Sequence, residues 1–334
     1  MKVAVLGDGG WGTALALLLH GAGAQPTLWG AFPEYVETLR QRRVNEKFLA
    51  GVELPSDLAI TADPEEAMRG AELVVSVAPT QFLSSVIEKV RPALPEGVPI
   101  VSASKGIENE TLRLPTTIWR EALDDGRPLA VLSGPSHAEE VARRLPASVV
   151  VGAEDQAVAE RVQGVCSTDR FRIYTSPDPI GVELGGALKN PIAVAAGMID
   201  GLGFGDNAKS ALLTRGAVEI ARLGQRLGAR RETFFGLSGI GDLATTCFSR
   251  HSRNRSVGER IGRGERLQDI LASTEKVAEG VWTARSVHGL AQRLGVELPI
   301  IEQVYCILFE DLDPNEAVTA LMTRSHKAEV EELD

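Results

Sequence analysis

Two kinds of hydrophobic pattern follow one another along this chain of 334 residues. In the first half, short apolar runs rich in β-branched residues end at glycine, serine or proline and alternate with longer stretches of helical spacing. KVAVLG predicts a strand, and GGWGTALALLLHGAG after it predicts a turn and a helix. Further strands are expected in PTLW, AELVVSVA, VPIVSAS, PLAVLSGP, ASVVVG and RFRIYTS, with helices such as TQFLSSVIEKV and DQAVAERVQGV between several of them. Strands alternating with helices predict a largely parallel, doubly wound α/β sheet.

After about residue 175 the strand-like runs stop, and every patterned stretch is helical, from GVELGGALKNPIAVAAGMID to DPNEAVTALMTR. The change falls at TSPDP, whose prolines disfavour regular structure. It predicts an α/β domain over 1–176 and an all-helical domain over 177–334, a division that the chain length allows. The last residues, KAEVEELD, read as a solvated acidic end.

One helix is unusual for a helix. VELGGALKNPIAVAAG, Val182 to Gly197, places Gly185 and Gly186 one turn before Lys189 and surrounds the lysine with alanines. An interior glycine costs about 0.5–1 kcal/mol relative to alanine, so something must come close to this backbone. Tight helix packing accounts for the small residues. Val182, Gly185 or Gly186, Lys189, Ala193 and Ala196 also share one side of the helix, which is expected to leave room beside the lysine for a substrate and a ring.

Composition narrows the function. No apolar run approaches the roughly 20 residues of a membrane span. A formal net charge of −10 argues against a general nucleic-acid surface. The basic island SRHSRNR, Ser249 to Arg255, is either a pocket for a small anion or a solvated loop. The N-terminus lacks the long apolar stretch of a secretory signal. Cys166, Cys247 and Cys306 suggest neither a disulfide framework nor a zinc site. A cytoplasmic protein with no metal centre is expected.

GDGGWG fits GxGxxG directly after the first strand. Gly7 would permit the tight turn, Gly9 the approach of a pyrophosphate to the backbone, and Gly12 close packing of helix on strand. Free N–H groups at the helix start would supply donors to that pyrophosphate. The second strand ends without the acidic residue that grips a ribose 2′-hydroxyl or the basic one that accepts a 2′-phosphate. Ala31 and Phe32 stand there, with Arg40, Arg42 and Arg43 farther along. VAPTQF, SKG with Lys105, and GPS with Gly134 and Ser136 follow other strands, where turn chemistry alone also accounts for them. Asp242, in GIGDLATTC, reads as a partner for a hydroxyl or an ammonium, or as a helix cap.

Together GDGGWGTALA, SKGIE, GPSHAEEV, ELGGALKN, GIGDLATTC, SRNR and VAEGVWTA resemble, in order and spacing, the bacterial-type glycerol-3-phosphate dehydrogenases that use NAD or NADP. The resemblance runs from near residue 3 to about residue 325. It implies a Rossmann-type domain followed by a helical one, with catalysis between them and hydride transfer linking dihydroxyacetone phosphate to sn-glycerol 3-phosphate for phospholipid synthesis. It also implies Lys189 as general acid/base, Lys105 on both substrate and cofactor, and Asp242 beside them. Gly134, Ser136, Ser252, Arg253 and Asn254 are implied to complete the substrate pocket. Gly7, Gly9, Gly10, Trp11, Gly12, Phe32, Ala138, Arg253, Val277 and Glu279 are implied on the cofactor, and a homodimer is expected. The family often has a basic residue where Ala31 and Phe32 stand, and often an aromatic one in place of His137, which is read here as packing.

Hydride transfer requires a partner for the hydroxyl proton, and a lysine serves near neutral pH only if its pKa is lowered. Lys105 is the expected second cation that lowers it. Two other classes remain open on the residues themselves. One is a dehydrogenase of the same architecture acting on a 3-hydroxy acid or a phosphorylated sugar acid. The other is a dinucleotide-binding sensor, which has no need for Lys189.

Overall fold

The computed structural model describes residues 1–274, 277–326, 328 and 329. Ten strands occupy the N-terminal part: β1 (Lys2–Leu6), β2 (Gln25–Trp29), β3 (Val44–Asn45), β4 (Leu49–Glu53), β5 (Ala59–Thr61), β6 (Leu73–Ser76), β7 (Ile100–Ser102), β8 (Leu129–Ser133), β9 (Ala147–Ala153) and β10 (Phe171–Ser176). Eight of them form one sheet in the order β10-β9-β8-β7-β6-β1-β2-β5, while β3 and β4 make a separate hairpin. The chain starts in the middle at β1, winds outward through β2 to β5, and returns to β6 on the other side of β1. The resulting switch between β1 and β6 is where doubly wound sheets bind ligands.

Each expected strand forms. The β3–β4 hairpin and the short β5 were not anticipated, since VN, LAGVE and AIT are too short or too mixed to carry a period. The sheet is parallel from β8 to β5, but β9 runs antiparallel to β8 and β10 follows β9. Helices α1 (Gly10–Gly21), α2 (Pro33–Arg42), α3 (Pro64–Met68), α4 (Leu83–Val90), α5 (Pro115–Leu123), α6 (Ala138–Ala142) and α7 (Gln156–Cys166) connect the strands. Apolar side chains of β1, β6, β7 and β8 point alternately into two buried clusters, the period-2 pattern of a sheet covered on both faces.

Beyond β10 the described residues are helical: α8 (Pro179–Gly201), α9 (Asp206–Arg226), α10 (Asp242–Phe248), α11 (Arg253–Gly262), α12 (Leu267–Ala272), α13 (Glu279–Leu294), α14 (Pro299–Phe309) and α15 (Pro314–Met322). Pro179 does not interrupt structure but opens α8 at its first position, where proline's fixed φ suits a helix. Asp178 caps that helix through Gly181 N–H at 2.9 Å, and its other oxygen accepts from Arg230 N and Thr233 Oγ1. Helix α8 is buried from Gly181 to Ile199, as a helix apolar on all sides must be.

The small residues of α8 are matched by small residues opposite. A Cβ at Gly258 would collide with the Val194 carbonyl, and one at Gly262 would reach 2.5 Å from Met198 O. Gly197 and Gly201 face the backbone of α11 in the same way. This crossing holds the N-terminal end of α11, with its basic island, above the helix that carries Lys189. Within the terminal KAEVEELD stretch only Ala328 and Glu329 are described; the other positions lie outside the described residues.

Candidate active site

The glycine turn joins β1 to α1 at the switch point. Gly7 has φ +127°, and a Cβ there would stand 3.2 Å from the Val77 backbone carbon. That conformation and that approach both call for glycine. A Cβ on Gly12 would overlap the Gly7 carbonyl, and one on Gly10 would stand 2.7 Å from Phe48 O, so the β3–β4 hairpin covers the turn from one side. Around Gly9 the space is open, and the first N–H groups of α1 lie beyond intrahelical pairing. Trp11 packs against the core, and its Nε1 is buried without a hydrogen-bond partner among the described residues. Ala138, at the start of α6, lies beside the turn, 3.8 Å from where a Gly10 Cβ would stand.

Aromatic rings flank this turn. Phe32, at the N-terminal end of α2 after β2, and Phe82, in the loop after β6, are both exposed. Because β2 and β6 are the two neighbours of β1, the rings stand on either side of the β1 turn.

The charged centre is assembled from three distant segments. Lys105 follows β7, Lys189 lies in α8, and Asp242 opens α10. Lys189 Nζ donates to Asp242 Oδ1 at 2.5 Å and to Thr246 Oγ1 at 2.7 Å, while Lys105 Nζ donates to Asp242 Oδ2 at 2.7 Å and to Gly134 O at 3.0 Å. Ser136 Oγ donates to the same Gly134 carbonyl at 2.9 Å. One carboxylate thus bridges two ammonium groups, and one carbonyl ties Lys105 to the loop after β8. Lys189 is only 6% exposed and Asp242 2%.

Burial pulls the Lys189 ammonium down; Asp242 opposes and Lys105 reinforces this, leaving it at about 8 instead of the usual 10.5. Burial by itself would raise the Asp242 carboxyl, but the ammoniums of Lys105 and Lys189 outweigh it and hold the carboxyl below its usual range. The array therefore keeps an ionised carboxylate next to an amine that changes protonation near neutral pH.

The glycines before Lys189 serve this assembly. A Cβ at Gly185 would stand 2.5 Å from Ser238 O, in the turn that leads into Asp242. One at Gly186 would strike Ser133 Oγ and come within 3.4 Å of Lys105 Cγ. The expected open room on this face is filled by protein. The glycines let the segments bearing Asp242 and Lys105 reach the lysine, and Ala193 and Ala196 are buried in the helical core.

Asn190 and Asn254 stitch the helices around the centre. Asn190 Nδ2 donates to Lys105 O at 3.0 Å, Asn254 Nδ2 donates to Asn190 Oδ1 at 2.9 Å, and Gly280 N donates to Asn254 Oδ1 at 2.9 Å. Ser252 caps α11, its Oγ accepting from Arg255 N at 3.2 Å. Arg253 is exposed and makes no hydrogen bond or ion pair among the described residues. Glu279 opens α13 and accepts from Thr80 N at 3.3 Å, and a Cβ at Gly106 would stand 2.8 Å from its Oε2. Burial pushes its carboxyl up to about 7. Val277 is half-buried just before it.

Two residues of this region, Thr246 and Asn190, carry no signal in the sequence, and His137 is read there as packing. Thr246 and Asn190 are ordinary helix residues until their partners are known, and the imidazole of His137 lies 6.0 Å from that of His251, centroid to centroid. Burial, reinforced by Lys189, holds His137 below its usual range. A separate signal marks the edge of the sheet. Among the described residues, the buried side-chain atoms without a hydrogen-bond partner include Asp8 Oδ2, Trp11 Nε1, Thr80 Oγ1, Ser102 Oγ, Ser133 Oγ, His137 Nε2 and Glu279 Oε2. All lie at the carboxyl edge of the sheet or on the helix start facing it. Buried polar groups are normally paired, so an edge rich in unpaired ones fits a large polar ligand such as a dinucleotide.

Comparison with known proteins agrees with this chemistry. Residues 2–159 match the family described as NAD-dependent glycerol-3-phosphate dehydrogenase N-terminus, and residues 178–319 match its C-terminus. Glycerol-3-phosphate dehydrogenase [NAD(P)+] of Citrifermentans bemidjiense is 51% identical over 330 residues, covering 98% of both chains. That of Listeria monocytogenes is 46% identical over 99% of this chain and 98% of its own. The crystal structure of glycerol-3-phosphate dehydrogenase from Coxiella burnetii superposes with a TM-score of 0.93 at 36% identity, covering 97% of this chain and 99% of that one.

Proposed function

The chain belongs to the NAD-dependent glycerol-3-phosphate dehydrogenase family, and from that premise we propose that Lys105, Asp242 and Lys189 form its catalytic centre, with Lys189 as the acid/base. The enzyme is an NAD(P)-dependent oxidoreductase that interconverts dihydroxyacetone phosphate and sn-glycerol 3-phosphate, supplying glycerol phosphate for phospholipid synthesis. The observation that carries the assignment of roles is the buried Lys189 amine, held at about 8 between a carboxylate and a second ammonium.

A bound nicotinamide would supply the hydride chemistry at the central carbon. The protein handles the proton. In reduction, the Lys189 ammonium donates to the oxygen on that carbon; in oxidation, its neutral amine takes the hydroxyl proton. Asp242 orients both lysines, and Lys105 contributes a positive charge beside the substrate, fixed to the GPS loop through Gly134 O. Arg253, with no hydrogen bond or ion pair among the described residues, supplies charge-assisted hydrogen bonds to the substrate phosphate, with Ser252 and Asn254 beside it at the start of α11. Gly134 and Ser136 shape the other wall of that pocket.

The cofactor assignment places the pyrophosphate at Gly9, Gly10, Trp11 and the start of α1, between Gly7 and Gly12. Phe32 and Phe82 would hold the adenine end, and Ala138, Lys105, Val277, Glu279 and Arg253 the nicotinamide end. We place the domain boundary at 176/177, between the end of β10 and the cap of α8. Two features support that division: the buried clusters of the sheet draw on residues 3–173, whereas the helical cluster is centred on α8. Residence in the cytoplasm is supported by three free cysteines, and no described helix is long and apolar enough to cross a membrane. We propose assembly as a homodimer, which sedimentation tests.

The roles are tested by pH profiles in both directions. With glycerol 3-phosphate and NAD, kcat/KM should rise through about 8; with dihydroxyacetone phosphate and NADH it should fall across the same range. Profiles running in the same sense would remove Lys189 from this role.

A further inference from the structure

The glycine turn specifies a dinucleotide without specifying which one. In doubly wound sheets a carboxylate at the end of β2 commonly binds the adenosine ribose 2′-hydroxyl, and a basic residue there accommodates a 2′-phosphate. Here β2 ends at Trp29 and runs into Gly30, Ala31 and Phe32, none of them charged. A carboxylate stands at that place nonetheless, delivered by the neighbouring strand. Asp8, between Gly7 and Gly9, lies so close to Gly30 that a Cβ built on Gly30 would stand 2.7 Å from Asp8 Cγ and overlap Oδ2. Gly30 is thus the matched half of the arrangement, because any side chain there would displace the carboxylate.

The surroundings hold Asp8 in place and leave one oxygen unpaired. Gly7 N donates to Trp29 O at 2.9 Å, locking the turn to the end of β2. The Asp8 carbonyl accepts from Asn45 Nδ2 at 2.8 Å. Oδ2 is buried and has no hydrogen-bond partner among the described residues. Burial raises the carboxyl to about 6, with Lys47 the charged neighbour that acts against this. Lys47 itself lies over the rings of Tyr35 and Phe48, at 5.9 and 5.2 Å from their centroids.

The arginines nearest in sequence are engaged elsewhere. Arg42 pairs with Glu46, and Arg43 donates to the carbonyls of Pro55 and Leu58. Arg40 is exposed on the last turn of α2. A 2′-hydroxyl can donate to a buried, unpaired carboxylate oxygen, whereas a 2′-phosphate would bring negative charge against it.

We infer that Asp8 is the coenzyme-selecting residue of this enzyme, accepting a hydrogen bond from the ribose 2′-hydroxyl and excluding a 2′-phosphate, so that NAD(H) is preferred over NADP(H). The inference rests on the assignment of the glycine turn to the dinucleotide. It moves the acid of the usual arrangement from the end of β2 into the turn itself.

The test is equilibrium binding, read by the fluorescence of NADH, NADPH and 2′-deoxy-NADH with the intact protein and its Asp8→Asn and Asp8→Ala variants. NADH should bind the wild type about tenfold or more tighter than NADPH, and 2′-deoxy-NADH should bind it more weakly than NADH by a similar factor. In Asp8→Ala the penalty for 2′-deoxy-NADH should vanish and NADPH should gain on NADH, with Asp8→Asn shifting the NADPH ratio in the same direction. A wild type that favours NADPH, or ratios unchanged in both variants, overturns the inference. Gly9→Val, measured alongside, separates the two levels. If it binds NADH normally, the glycine-turn assignment itself fails; if it loses NADH while the Asp8 ratios stay put, only the selecting role of Asp8 fails.

Discussion

At the glycine turn, six consecutive residues, Gly7 to Gly12, carry most of the geometry, and their constraints are backbone constraints: a positive φ, a collision at Gly12, open space at Gly9. At the lysine centre, the charged groups come from positions 105, 189 and 242, and their constraints are electrostatic. The first region works because of what side chains are missing. The second works because burial brings charges together that water would otherwise separate. The turn should therefore tolerate loss of the lysine centre, and the lysine centre loss of the turn, each failing in its own measurement.

The largest effect expected is from Lys189→Arg. Arginine keeps the charge but cannot cycle a proton near neutral pH, so turnover should fall about a hundredfold or more while NADH binding, measured by fluorescence, survives. Near-wild-type turnover would reduce Lys189 to a structural ion pair. Gly9→Val should do the reverse, weakening NADH at least about tenfold with an unchanged helical circular-dichroism signal, because a Cβ there meets no protein atom. A loss of helical signal would show the turn to be a folding element first.

Arg253→Ala separates substrate from cofactor within the second region. KM for dihydroxyacetone phosphate should rise about tenfold or more, the worth of a hydrogen bond to a charged group, and by a larger factor than the dissociation constant of NADH, which Arg253 meets only at the nicotinamide end. An unchanged KM would assign the phosphate to another group. Smaller and more diagnostic are two opposed shifts in the pH profile. Lys105 lowers the Lys189 pKa and Asp242 raises it, so Lys105→Gln should move the midpoint up and Asp242→Asn should move it down. Shifts in a common direction would mean that burial, and not the paired charges, sets the pKa.

The smallest effect concerns stability far from either region. Glu219 accepts from Ile300 N at 2.7 Å and Ile301 N at 3.2 Å at the start of α14, and burial raises it from 4.5 to about 7. A carboxyl whose folded pKa is raised gives stability that is full below its unfolded value and is lost as pH rises through the folded one. The melting temperature of the wild type should therefore drop more between pH 5 and pH 7.5, about the window of that shift, than that of Glu219→Gln. Equal drops would show that Glu219 does not titrate in this window.

Much of this was legible in the chain. The alternation of strands and helices, the change of pattern near residue 176, and the glycine turn all appear as local periods or motifs. The β3–β4 hairpin was not legible, although its Phe48 carbonyl explains why position 10 is glycine. The small face of α8 was legible as an anomaly, but its purpose was misjudged: what approaches Gly185 and Gly186 is the backbone before Asp242 and the side chains of Ser133 and Lys105. The place of Asp8 is not legible in the sequence, because the acid follows β1 in the chain and lies beside the end of β2 only in space.

By itself, then, the sequence determined the elements, their order and the residue types of the chemistry, since hydrophobic period, glycine conformational freedom and motif spacing are properties of neighbouring residues. Tertiary structure alone decided which charges meet. Lys189 becomes a group that titrates near 8 only because folding removes it from water and places Asp242 and Lys105 against it. Those three lie 84 and 53 positions apart along the chain, and no local pattern records an interaction whose strength depends on burial and distance.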